Sequence, residues 1–535
     1  MPAADPAARP WGSWWWLILW GLLVALALAL RPLLPVDETR YLSVAWEMWQ
    51  RDDWLVPYLN GAPYSDKPPL LFWSMLLGWR IFGVNEWWPR LLSPLFGLAV
   101  VFLLMRLARR LSPGELAQAN TPLTFLSGPL WVAYSTVVLF DTLLAACVLV
   151  ALLGVVDAWQ GRPGRGWLIY GAAIGLGVLA KGPVVLVHVL PCALLAPWWA
   201  TTSRPGGWDR WYLGVALGLA LGAALGLAWA IPAGVRGGPD YQRAILWEQS
   251  AGRVATAFAH QRPWWWYLPL LPLVLFPWSL WPPLWRGLAG LRRESTEIAP
   301  RFALACIMPA VIVLSLISGK QVHYLMPLLP VFAILAAAAS RGTVEQARSW
   351  DTAAAAMLLA SGGGLLLASP LLQRETGAES WLPQIPRIWG LVLVVGALLL
   401  ALPRPPSRQM VALSLVSPAL LIVMHLAGTG LIRRIYDLRP AALLLKRAEE
   451  AGRPVAFVGK YQGQFHFLGH LERPFEPVTR DSVPEWMANH PDGLVIRQQS
   501  SRTFSTTPLF VQPYRDGVMG IWEATPADKS PTVTK

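Results

Sequence analysis

VVLFDTLLAACVLVALLGVV, from Val137 to Val156, holds one charge, Asp141, in an otherwise apolar run. A helix of about twenty such residues rises roughly 30 Å, the depth of a bilayer's hydrocarbon core. Trp14–Leu30, Trp211–Pro232 and Trp389–Leu402 read the same way. Cutting the apolar runs at charges, Gly and Pro predicts about thirteen helices. They fall at 14–35, 90–107, 118–137, 141–157, 166–180, 183–200, 211–232, 266–285, 302–317, 323–340, 352–372, 386–403 and 411–430. One or two such runs fit inside a soluble core; a dozen do not. Only 14% of the 535 residues are charged, and mean hydropathy is +0.43. Soluble domains carry roughly 25% charged residues, so this chain lacks the polar surface to stay in water. The expected class is an α-helical polytopic membrane protein.

Topology has an independent test, because basic residues accumulate in cytoplasmic loops. With the N-terminus inside, the inner loops hold Arg106/Arg109/Arg110, Arg162/Arg165, Arg204/Arg210, Arg286/Arg292/Arg293/Arg301, Arg341/Arg348 and Arg404/Arg408. Every short inner loop is then basic, and the net charge of +13 needs no nucleic acid to explain it. The first apolar run is long enough to span and is read as an uncleaved helix rather than a signal peptide. The protein is expected in a bacterial inner membrane. Its transmembrane domain is 1–430, with periplasmic loops at 36–89 and 233–265 and a small periplasmic α/β domain at 431–535. In that tail Ala441–Ala451 reads as an amphipathic helix stopped at Gly452, and Pro454–Val458, Gly493–Arg497 and Val518–Glu523 as strands. Clusters among the 32 Trp, such as Trp87–Trp88 and Trp264–Trp266, sit at the ends of apolar runs, where indoles prefer the headgroups. Cys147, Cys192 and Cys306 lie inside apolar runs without metal-like spacing and read as packing residues.

Unexpected polar residues collect on the outer face. Asp37-Glu38-Thr39-Arg40-Tyr41 and Tyr64-Ser65-Asp66-Lys67 lie in the first loop. Asp141, Lys181, and Lys320 with His323 and Tyr324 each occupy a short outer turn. Glu248, Arg253, His260, Gln261 and Arg262 lie in the second large loop. Charges at the edge of hydrocarbon are costly and usually functional. Any one alone reads equally well as a polar turn residue, and Glu38 as a solvated helix cap; four convergent sites, Asp37 and the three turns, are harder to dismiss. Arg and Lys at such an interface suit a lipid-linked phosphate. No phosphate-cradling Gly loop, Gly-x-Ser-x-Gly element or His-Glu-x-x-His motif occurs, so an activated group is expected on a membrane-borne donor.

These segments resemble the GT-C membrane glycosyltransferases, specifically family 83, which includes the aminoarabinose transferases of lipid A and is related to protein O-mannosyltransferases. The likeness runs from Asp37 to about Ser340. It rests on DETRYLSVAWEM, WLVPYLNGAPYSDKPPLLFW, FGVNEWWPRL, the Phe140-Asp141-Thr142 turn, LAKGP around Lys181, HQRPWWWY and GKQVHYLMPLLP from Gly319. Order and spacing, rather than any single segment, make the likeness specific. It implies inverting transfer from an undecaprenyl-phosphate sugar to a lipid or glycan acceptor. The family's catalytic acid falls on Asp37 and its second acid on Asp141. Its donor-binding cations fall on Lys67, Lys181 and Arg262, with Arg40 and Lys320 beside them, and its pocket tyrosines on Tyr324, Tyr41 and Tyr64. No cofactor is implied beyond a divalent metal ion as a candidate, with Asp66 and His260 to hold it. The family's usual Glu before the loop lysine is Asp66 here, which argues against that contact. The usual Lys-Leu-Pro-x-Tyr is Lys320-Gln-Val-His-Tyr324, a departure pointing to a different acceptor or sugar.

Breaking a sugar–phosphate bond leaves positive charge on the ring and negative charge on the departing phosphate. Lys67, Lys181 and Arg262 are placed to stabilise the phosphate. Asp37 is a general base for a hydroxyl acceptor, or a stabiliser of the oxocarbenium-like ring. Protein O-glycosylation is the alternative within the class. A lipid-linked-sugar transporter or flippase is the rival outside it, and predicts polar residues at mid-membrane depth rather than at one interface.

Overall fold

The computed structural model describes residues 15–111, 115–200, 207–252, 261–291, 297–341, 343–376, 382–499, 507–515 and 517–524. It is predominantly helical, and seven stretches are long and apolar enough to cross a membrane: Trp87–Leu111, Phe140–Trp159, Trp208–Gly237, Ile298–Leu316, Val322–Ser340, Ala353–Leu371 and Arg408–Glu450. Trp16–Leu30, Leu70–Phe82, Val185–Leu194 and Ile388–Ala401 are apolar but shorter. The helices are α1 Trp15–Leu30, α2 Asp37–Arg51, α3 Leu70–Phe82, α4 Trp87–Leu111, α5 Glu115–Leu126, α6 Pro129–Tyr134, α7 Phe140–Trp159, α8 Pro163–Lys181, α9 Val185–Leu194, α10 Ala196–Trp199 and α11 Trp208–Gly237, then several more named below by range.

Three expected spans are broken. The run 118–137 divides into α5 and α6. The run 183–200 divides into α9 and α10. The run 266–285 is a 3-10 turn at Trp264–Leu270, short turns after it, and a helix at Pro282–Gly290. Pro269, Pro272, Pro277, Pro282 and Pro283 each lack the N–H that a continuous helix needs. Apolarity measured over a window cannot register that.

The chain forms two compact units. The first comprises 1–29, 66–71 and 90–427. Its centre is the antiparallel pair α7 and α8, tied at a glycine contact: a Cβ added to Gly154 would stand 2.7 Å from the Gly166 carbonyl oxygen. α11 packs on α8 as closely, with an added Cβ at Gly171 only 2.6 Å from the Gly218 oxygen. Without a hydrophobic drive between helices in lipid, such backbone approach is how they gain contact. Val148, Leu152, Tyr170, Val189, Phe302 and Ala303 are buried in the resulting core. Cys147, Cys192 and Cys306 are buried free thiols, as packing residues should be. The far face of α11 presents Leu213, Leu217, Ile231 and Val235 outward, the pattern of a lipid-facing helix.

The second unit comprises 30–65, 72–89 and 428–535. Its sheet runs β4(Glu476–Val478), β3(Val455–Val458), β5(Leu494–Gln499), β7(Gly517–Glu523), β6(Phe510–Tyr514). β3 is parallel to β4 and β5, while β7 is antiparallel to β5 and β6. The helix Arg439–Glu450 packs Ala441, Ala442, Leu445 and Ala448 inward, one stripe at helical spacing, and Gly452 follows it at φ +74°. The three expected strands are present. The two unforeseen ones, β4 and β6, are the edges, and both contain proline (Pro477, Pro513), which an edge tolerates and a central strand does not.

The same unit takes in the first loop. β1(Tyr58–Leu59) and β2(Ala62–Pro63) form a hairpin whose turn residues, Asn60 and Gly61, have φ of 55° and 82°, as a type I′ turn requires. Asn60 exchanges two hydrogen bonds with Phe475, its Nδ2 donating to the carbonyl at 2.9 Å and its Oδ1 accepting from the N–H at 2.8 Å. The Ser43 hydroxyl on α2 donates to the Gly463 carbonyl at 2.8 Å, and Trp79 on α3 stacks on Phe467 with centroids 5.5 Å apart.

Candidate active site

The predicted site residues divide between the two units. In the first unit, α7 begins at Phe140, so Asp141 sits in its first turn; α8 ends at Lys181. Because these helices are antiparallel neighbours, the two ends meet. The Lys181 ammonium donates to Asp141 Oδ1 at 2.5 Å, with the two side chains 12% and 2% exposed. Lys67 reaches the same place: its ammonium lies 6.0 Å from the centre of the Phe140 ring, within electrostatic reach of Asp141. His323, in the 3-10 turn Val322–Leu328, places Nε2 3.9 Å from Asp141 Oδ2. Tyr324 lies with its ring 4.8 Å from the Lys181 ammonium, a cation–π distance.

The turn that carries His323 and Tyr324 is fastened to the second large loop. Gln261 bridges to Gly319, the Arg262 N–H donates to the Ser318 carbonyl at 3.1 Å, and the Tyr267 hydroxyl donates to the Gln321 carbonyl at 3.1 Å. Lys320 is buried, and its ammonium is bound by the carbonyls of Ile317 and Arg262. Its charge holds the turn together, a different task from the expected donor contact. The Arg262 guanidinium is exposed and sits 5.8 Å over Trp266. Arg253 and His260 lie outside the described residues. Asp66 is half-buried, and among the described residues no cluster of three His, Cys, Asp or Glu side chains is arranged to hold a metal.

In the second unit, Asp37 opens α2. Its carboxylate is 49% exposed, pairs with Arg40 one turn on, and accepts from the Tyr41 hydroxyl at 3.4 Å. Burial, and then the charge of Asp37, push the Tyr41 hydroxyl well above the usual phenol range, so it stays a donor. Tyr41 and Tyr64 both pack edge-on against Phe72 and are buried. Arg40 also donates to Gln462 Oε1 at 3.0 Å, which links the acid's partner to the tail.

Glu38 is not a solvated cap. It is fully buried, ion-paired to Arg31, and accepts the Leu34 N–H at 2.7 Å. This pair closes the segment between α1 and α2 and so sets where Asp37 emerges. The signal was present in the sequence as an arginine ending an apolar run seven residues before a glutamate. His188 was missed altogether: it is 1% exposed on the apolar helix α9, within electrostatic reach of Lys181 and Asp141.

Residues 66–229 match the family described as dolichyl-phosphate-mannose-protein mannosyltransferase. The chain is 33% identical over 326 residues to the undecaprenyl phosphate-alpha-4-amino-4-deoxy-L-arabinose arabinosyl transferase of Pseudomonas aeruginosa strain UCBPP-PA14, covering 60% of this chain and 58% of that one. It is 31% identical over 302 residues to transferase 1 of the same description from Pseudomonas fluorescens strain Pf0-1, covering 55% and 52%. The chain thus spans less than two thirds of the length of these curated relatives. The crystal structure of ArnT from Cupriavidus metallidurans bound to undecaprenyl phosphate superposes with a TM-score of 0.73 at 21% identity, over 96% of this chain and 99% of that one. The expected GT-C fold of a multi-pass helical membrane protein is therefore the observed one.

Proposed function

We propose that this chain is an inverting glycosyltransferase that moves a sugar, aminoarabinose or a close relative, from an undecaprenyl-phosphate carrier to a lipid or glycan acceptor at the periplasmic face of the inner membrane. The observation that carries the reading is the pair of cations Lys67 and Lys181, with His323 beside them, around buried Asp141 where the ends of α7 and α8 meet. Fixed cations in a place of low dielectric are what a departing phosphate needs. Asp141 holds them in position rather than reacting, since its carboxylate is already engaged by Lys181.

Asp37 is the acid left open to an acceptor, its carboxylate half exposed although paired with Arg40 and bonded by Tyr41. It takes the proton of a hydroxyl acceptor, or steadies the positive ring if the acceptor arrives ionised. The names and lipid of the similar proteins support undecaprenyl phosphate as the carrier. The match of residues 66–229 to the mannosyltransferase family favours a second reading, transfer to protein hydroxyls. A flippase fits less well, because the charges gather at helix ends.

The test is transfer by purified chain in nanodiscs, given a synthetic undecaprenyl-phosphate aminoarabinose and either lipid A or a Ser/Thr peptide, with mass spectrometry of the products. A mass gain on the lipid supports the main reading and one on the peptide the second. No transfer to either, with the carrier moved across the bilayer instead, overturns both.

A further inference from the structure

The donor and the leaving group of the proposed reaction differ in charge. A sugar–phosphate–polyprenol is a phosphodiester with one negative charge; once the sugar leaves, the carrier is a monoester, and its second proton has a pKa near 6. Lys67 and Lys181 stand at Asp141 and suit the diester. Among the described residues, the side chain beside this pair that can gain a charge near neutral pH is His323. Lys320 is nearby, but the carbonyls of Ile317 and Arg262 occupy its ammonium.

We infer that His323 is the titratable cation of this site: neutral beside the diester, it carries a proton when the carrier leaves as the monoester. The assignment rests on the transferase reading above. Its ground is position. Nε2 stands 3.9 Å from Asp141 Oδ2, too long for a neutral hydrogen bond but within reach of an ion pair once the ring is charged. An ordinary histidine titrates near pH 6.5, where a second proton on a phosphate monoester also moves. Three groups face it directly: Asp141 from α7, the Tyr134 ring at 5.7 Å from α6, and Tyr324 at 5.0 Å in its own turn. Lys181 from α8 and Lys67 from the first loop stand at the same carboxylate, and His188 on α9 and Tyr267 lie within electrostatic reach of it. His323 is thus a ring whose charge can follow the chemistry at the edge of the membrane.

The step balances. The sugar C1–O bond to phosphate breaks and its electron pair stays on the phosphate oxygen. The acceptor oxygen bonds to C1, and its proton passes to the general base. The proton on His323 comes from solvent and stays on the ring, or passes to the monoester, until the carrier leaves.

The experiment is lipid binding by the full chain in nanodiscs from pH 5.5 to 8.5. The probes are undecaprenyl phosphate and its methyl phosphodiester, whose charge does not change over that range. Wild type is compared with His323→Gln, which keeps size and polarity, and with His323→Lys, which is always charged; thermal melts verify folding. Near pH 6.5 wild type should bind the monoester about tenfold more tightly than His323→Gln, roughly what one added ion pair gives. Near pH 6.5 that advantage should be smaller for the diester than for the monoester. His323→Lys should hold the monoester tightly up to pH 8.5, where wild type weakens. If wild type and His323→Gln follow one pH curve for the monoester, the assignment is overturned. The same holds if His323→Lys binds no better than His323→Gln at pH 8.5. Failure of wild type to bind either lipid at any pH would instead overturn the transferase reading, and this assignment with it.

Discussion

The ammonium of Lys181, the last residue of α8, lies 2.5 Å from the carboxylate of Asp141 in the first turn of α7. Two residues forty positions apart are thus one electrostatic object at the meeting of two apolar helices. Removing either partner leaves a buried charge behind, which costs roughly 3–5 kcal/mol. Lys181→Met and Asp141→Asn should each lower the melting temperature of the purified protein. The double variant should recover most of that loss while remaining inactive. Additive losses in the double variant would show that the pair does not act as a unit.

Asp37 should behave in the opposite way. Its carboxylate is half exposed and its pairing with Arg40 is local to one helical turn, so Asp37→Asn should melt near wild type. Turnover should fall by about 10²-fold or more, the usual size for losing a positioned acid–base or electrostatic group. Normal turnover with a lowered melting temperature would leave Asp37 as a helix-end residue.

Gly463 is where the tail touches α2. It has φ +75°, and a Cβ there would stand 3.0 Å from Arg40 Cα and 3.2 Å from Ser43 Cβ. Gly463→Ala therefore meets an unfavourable backbone conformation and a backbone neighbour that cannot swing away. A loss of about 1–3 kcal/mol is expected, visible as faster deuterium uptake in both 37–51 and 455–475. Uptake confined to the tail would mean that α2 is held by other contacts.

The second unit should also weaken in mild acid. His466 is buried, its Nδ1 accepting from the Tyr461 hydroxyl at 2.7 Å and its Nε2 donating to the Arg473 carbonyl at 3.1 Å. Burial pulls its pKa down to about 4, against 6.5 for a free ring. Between those values the unfolded ring takes up a proton that the folded one refuses, so stability falls as pH falls from 6.5 toward 4. The full loss is about 3 kcal/mol. Melts at pH 7.5, 5.5 and 4.5 should show the decline, and His466→Gln should flatten it. An equal slope in the variant would place the acid sensitivity in other groups.

Much of this molecule was legible in one dimension. Hydropathy found the helical class, periodicity found the amphipathic helix of the tail, and polar residues in short turns drew attention to Asp141, Lys181 and His323, which the structure brings together. What local pattern cannot carry is partnership. Lys320 and Lys181 look alike in sequence, each a lone lysine in a short turn. Only the structure separates a charge spent on the carbonyls of Ile317 and Arg262 from one held against Asp141. Glu38 stayed undecided in sequence for the same reason, since its burial depends on Arg31 folding back to it. Proline hid two things of opposite kind: it broke the apolar run 266–285, and it disguised the two edge strands.

The hydrogen bond from Ser43 to Gly463 joins residues 420 positions apart. A ribosome adding about 5–20 residues per second reaches the second partner roughly 20 to 80 s after the first. Throughout that interval α2, which bears Asp37, must wait with Ser43, Trp46 and Asn60 facing nothing of their own chain, because Gly463, Leu471 and Phe475 do not yet exist. Biogenesis therefore has an order built into it. The loop that holds the acid leaves the ribosome well before Gly463 and takes its final shape only after it, so a chain released between the two carries Asp37 without the packing that aims it.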